Sequence, residues 1–141
     1  MPISETFRIP GHKSHIPTAR QRVRRTLAGW GITGELADAV TLSANELATN
    51  AVTHCRVSCA RIRITLTLDG PELVLEVSDP DRDGLPRPRD SAPDQENGRG
   101  LALVAASADS WGYRQDPYTK CVWARFTLAQ KQAGARVPVP S

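Results

Sequence analysis

Apolar residues recur along this chain at two different spacings, and the switches between them mark its elements. Residues 4–9 alternate weakly and predict an edge strand, followed by a turn-rich break over 11–17. From Pro17, a residue favoured in a first helical turn, Ala19, Val23, Leu27 and Trp30 repeat at helical spacing. Gly29 and Gly31 mark the end of that helix. A second helix is expected over 35–54. Val40, Ala44, Leu47, Ala48 and Ala51 share one face of it and form the predicted buried stripe. Glu46, Asn50 and His54 make a second, polar row that borders the buried one. Such a row lines a pocket or is merely solvated, and the geometry alone favours solvation.

Period-two alternation then takes over. Ile62, Ile64, Leu66 and Leu68 point one way in a strand over 60–68, Asp69-Gly70 is a hairpin signal, and Leu73, Leu75 and Val77 alternate in the return strand. Residues 81–97, rich in Pro, Asp, Arg and Gly, read as a long loop, and long loops in compact domains are usually functional or disordered. Gly98-Arg99-Gly100 opens an apolar helix from Leu101 to about residue 108, and two further strands are expected over 110–115 and 120–128. The expectation is one α+β domain over 1–129, a two-layer sandwich, with a mobile polar tail over 130–141.

Composition narrows the function classes. The 141 residues, 40% hydrophobic and 23% charged, fit a soluble globular protein. No apolar run reaches the roughly 20 residues of a membrane helix, and no secretory signal is visible. Cys55, Cys59 and Cys121, an odd count, read as reduced thiols in a cytoplasm. The net charge of +3 conceals a cluster of Arg20, Arg22, Arg24 and Arg25. Aromatic residues do not interleave with it, so no platform for stacking bases is visible and direct nucleic-acid binding is not expected.

Three places carry chemistry. Glu46 and Asn50 set a carboxylate and a carboxamide one helical turn apart. A carboxamide oxygen is a hard ligand suited to Mg²⁺, and the carboxylate can take a proton. Asp79 ends an apolar strand, where a buried carboxylate needs donors such as an adenine amino group; a turn aspartate is the commoner explanation. Gly98 and Gly100 at a helix start let backbone N–H groups approach a phosphate, or form an ordinary loop-to-helix junction.

Taken in order, these features resemble the Bergerat, or GHKL, nucleotide-binding fold shared by histidine kinases, gyrase-type ATPases and anti-sigma-factor kinases. Glu-Leu-Ala-Thr-Asn-Ala-Val-Thr-His from Glu46 looks like the N box, Val77-Ser78-Asp79 like the start of the first glycine box, and Gly98-Arg99-Gly100-Leu101-Ala102-Leu103-Val104 like the second. Ser110-Trp111-Gly112 and Cys121-Val122-Trp123-Ala124-Arg125-Phe126 are similar to the actinobacterial subgroup related to the RsbW and SpoIIAB anti-sigma factors. The resemblance spans about residues 4–128. It implies that Glu46 is the general base, that Asn50 ligates Mg²⁺, and that Asp79 binds the adenine of ATP. Gly84 would partly replace a missing glycine, and Gly98, Arg99, Gly100 and Leu101 would form the phosphate end of the ATP lid. The implied partners are a serine-bearing STAS-domain anti-sigma-factor antagonist, a sigma factor contacted by Arg20, and a second copy of the chain.

One position departs from that pattern. Asp81 stands where the first glycine box has glycine, which is used there because backbone passes close to the nucleotide. A module that sequesters a partner without transferring phosphate is therefore the competing class. A histidine kinase is disfavoured, since no phosphoacceptor-histidine helix pair precedes the domain. Asp79-x-Asp81-x-Asp83-Gly84, with Asp90 at the twelfth position, also matches the opening of an EF-hand calcium loop, but a strand precedes it and Pro86 and Pro88 break any following helix. Zinc at Cys55 and Cys59 lacks both the spacing and a fourth ligand.

Overall fold

The computed structural model describes residues 2–55, 61–81 and 96–128, with side chains in the last stretch from Leu101 onward. The elements run β1 (Ile3–Pro10), a short 3-10 turn (Lys13–His15), α1 (Ile16–Gly29), α2 (Gly34–His54), β2 (Arg61–Asp69), β3 (Glu72–Asp79), α3 (Glu96–Ser107), β4 (Ser110–Gln115) and β5 (Lys120–Thr127). The five strands form one antiparallel sheet in the order β1-β2-β3-β5-β4. Helices and sheet make an α+β sandwich.

The register explains why one face of the sheet is dry. Phe7, Ile64, Val77 and Val122 stand opposite one another across four strands, and Leu66, Leu75 and Ala124 make the next row but one. All are buried, together with Leu73 and Phe126. The helices supply the other half of the core: Ala19, Val23 and Leu27 from α1, Val40, Ala44, Leu47, Ala48 and Ala51 from α2, and Leu101 and Val104 from α3. Burying each of the larger aliphatic side chains contributes roughly 1.5–3 kcal/mol before the entropy of ordering is counted. On the opposite face Arg114 pairs with Glu76 at 3.1 Å and Arg125 with Glu72 at 3.5 Å, so cross-strand charges cover it.

Local chemistry terminates the elements. α1 ends in a Schellman motif: the Ile32 N–H donates to the Leu27 carbonyl at 2.9 Å and the Gly31 N–H to the Ala28 carbonyl at 3.0 Å. Gly31 sits at φ +81°, which its missing Cβ permits. The β2–β3 turn falls on Gly70-Pro71, one residue later than expected, because Asp69 remains paired with Glu72 in the ladder. Gly70 at φ +63° followed by proline is the pattern of a type II′ turn. The described part of α3 begins at Glu96, so Gly98 and Gly100 lie inside the helix rather than ahead of it. Among the described residues, no helix is long and apolar enough to cross a membrane. The expected tail over 130–141 lies outside the described residues.

Candidate functional site

The polar row of α2 falls where its spacing placed it. Leu47 and Ala51 are buried, Glu46 and Asn50 beside them are half-buried, and His54 is exposed. The base and ligand candidates thus stand at the rim of the core. Asn45, which the motif reading passed over, holds Glu46 in place: its Nδ2 donates to Glu46 Oε2 at 3.1 Å. Asn45 Oδ1 in turn accepts from Arg20 Nη1 at 2.8 Å. Arg20, expected as a partner contact, is therefore exposed on α1 and linked through Asn45 to Glu46. Arg24 ties α1 to α2 through Asp38 at 3.2 Å, and Arg22 reaches Glu5 at 3.2 Å while lying over the Phe7 ring.

Asp79 is the last residue of β3 and lies directly opposite Lys120, the first of β5. It is two positions beyond Val77, and Lys120 two before Val122, so both side chains lie on the helix-covered face. Both are buried, at 2% and 4% exposure. Lys120 Nζ is 3.5 Å from Asp79 Oδ2, while Asp79 Oδ1 accepts the Asp81 N–H at 2.8 Å. The second contact is an Asx-turn that bends the chain out of the sheet. Burial pushes the Asp79 carboxyl above its ordinary value, and the Lys120 ammonium and the Asp81 N–H only partly oppose that. Asp79 thus serves as a turn aspartate and as one half of a buried ion pair. Lys120 went unnoticed in the linear sequence because its partner is a ladder neighbour 41 positions away.

Asp81 is itself buried. The strand leading into Asp79 is not the helix an EF-hand requires, and the rest of that loop, with Gly84, lies outside the described residues. So does Cys59. Gly98, Arg99 and Gly100 have helical backbone, and nothing of the Arg99 side chain is described. Leu101 is buried in the core, so its side chain anchors α3 and only its backbone remains for a phosphate. Burial also raises the Cys121 thiol, whose hydrogen bond with Ser78 opposes the shift, which makes it a poor nucleophile.

The donor set suits a magnesium nucleotide at one end. Asn50 offers a neutral hard oxygen and Glu46 a carboxylate, both at the edge of the core, and Mg²⁺ bound this way fills its other positions with water and phosphate oxygens. At the other end, on the strand that α2 packs against, Asp79 is a buried acceptor with an ammonium beside it.

An antiparallel sheet with helices on one face and this polar row along their inner edge defines an α+β sandwich of the GHKL type. The family of histidine kinase-like ATPase domains matches residues 9–126, and the chain belongs to that family. No curated protein matches it. Membership in that family implies ATP binding, usually with Mg²⁺.

Proposed function

We propose that this protein binds Mg-ATP and phosphorylates a serine of a STAS-domain anti-sigma-factor antagonist, while sequestering a sigma factor in the cytoplasm. The observation that carries the reading is the N-box row: Glu46, steadied by Asn45, stands one turn before Asn50 at the edge of the core. Bound Mg²⁺ would neutralise charge on the phosphates, and Asn50 would be its protein ligand. Glu46 would take the proton of the incoming serine hydroxyl, whose oxygen then bonds to the γ-phosphorus as the bond to the departing ADP oxygen breaks. The Gly98-Arg99-Gly100 turn of α3 would face the phosphates, and Arg20 on α1 would meet the protein partner.

Glu46→Gln keeps size and polarity but removes the base. ATP binding and partner binding should stay near wild type, while phosphoryl transfer to the native antagonist falls by about two to four orders of magnitude. Equal transfer rates would remove Glu46 from this role. A second reading, a sequestering module without kinase activity, is favoured by Asp81 and by the engagement of Asp79 with Lys120. Transfer by the wild type decides between them: a wild type that binds ATP but phosphorylates no native antagonist is the sequestering module.

A further inference from the structure

We propose that Lys120 reads the nucleobase together with Asp79, so that this chain recognises adenine through a buried donor–acceptor pair rather than through a lone aspartate. The inference rests on the reading that the chain binds ATP. Its ground is a placement that packing alone does not call for. Along the core face, β3 and β5 meet in apolar pairs, Leu73 with Phe126, Leu75 with Ala124 and Val77 with Val122. The next pair on the same face is Asp79 with Lys120, equally buried. A buried ion pair usually stabilises a fold no better than apolar residues of the same volume, because desolvation offsets the attraction. Here desolvation is the largest influence on Asp79. Where apolar residues would usually serve the fold as well, a buried ion pair beside the aspartate that the resemblance assigns to adenine fits a ligand-reading role.

The chemistry of the pair matches one edge of adenine. That edge sets an acceptor, the ring nitrogen N1, beside a donor, the 6-amino group. Asp79 Oδ2 accepts only, an ammonium donates only, and the two atoms stand 3.5 Å apart, one hydrogen-bond step. The 6-amino group would donate to the carboxylate, which has acceptor positions beyond the two contacts described, and N1 would accept from Nζ. An incoming base need not break the ion pair. Sharing the carboxylate keeps the buried ion pair, which is less costly than breaking it.

The experiment is calorimetric binding of ATP and of 1-deaza-ATP, in which N1 is replaced by C–H and the amino group is kept, to the wild type and to Lys120→Met with Mg²⁺. The wild type should bind ATP about tenfold or more tightly over the analogue, since a hydrogen bond from a charged donor is lost. Lys120→Met should bind ATP more weakly than the wild type and lose the preference. Equal binding of the two nucleotides by the wild type overturns the role of Lys120 while leaving ATP binding intact, and it needs no variant to fold. Tighter ATP binding by a folded Lys120→Met overturns it too, and would make Lys120 a plug. Binding of neither nucleotide by the folded wild type removes the ATP reading itself, and the proposal with it.

Discussion

Asp79 shows how opposed influences meet at a single side chain. The Lys120 ammonium and the Asp81 N–H favour its charged form, burial disfavours it, and burial prevails. The folded state therefore holds the Asp79 proton more tightly than the unfolded chain does. Between the ordinary carboxylate value and the raised one, its contribution to stability falls as pH rises, and the cost is complete above the raised value. Denaturant unfolding of the wild type and of Asp79→Asn across the acid range should show the wild type losing ground to the variant as pH climbs through that window. A wild type that gains on the variant as pH climbs would mean that the ion pair prevails over burial. The position of Glu46 and Asn50 beside the buried stripe was legible beforehand because four-residue spacing is a property of the linear chain. Asn45 and Lys120 were not: their roles come from Arg20 on another helix and from a ladder partner on another strand.

Elements were legible wherever periodicity and turn chemistry agreed. The stripe of α2 and the alternation of β2 and β3 came out as expected because apolar spacing reports directly on which face is buried. Boundaries moved where the ladder or helix continued past the signal, as at Asp69 and ahead of Gly98. The end of α1 offers a clean test. A Cβ on Gly31 would meet nothing within 4 Å, so Gly31→Ala changes no packing. Holding alanine at positive φ should still cost about 1–2 kcal/mol, read as a lower urea midpoint with an unchanged slope. Gly112 would respond differently. There a Cβ would lie 2.8 Å from Cζ2 of Trp123, whose ring also carries the Arg125 guanidinium, so the obstacle is packing.

At the scale of the whole molecule, the strand order was the least legible feature. Nothing in the alternation of β5 says that it inserts between β3 and β4, yet that insertion sets Lys120 beside Asp79. The same order leaves β1 and β4 as the sheet edges. The family resemblance implies a second copy of the chain, and we propose a homodimer through β1 and the arginine-bearing α1. Light scattering at micromolar concentration should give twice the monomer mass, and a monomer in the absence of partners would count against that assembly. The turn at Gly70-Pro71 lies at the opposite end of β3 from Asp79, about 25 Å away over the strand's eight residues. The Leu128 N–H donates to the Pro71 carbonyl there, so β5 leaves the sheet at that same remote end. That polarity gives an experimenter a handle: a molecule tethered to a sensor surface through an anchor at exposed Asp69 would hold its Asp79–Lys120 end away from the support, open to whatever flows past.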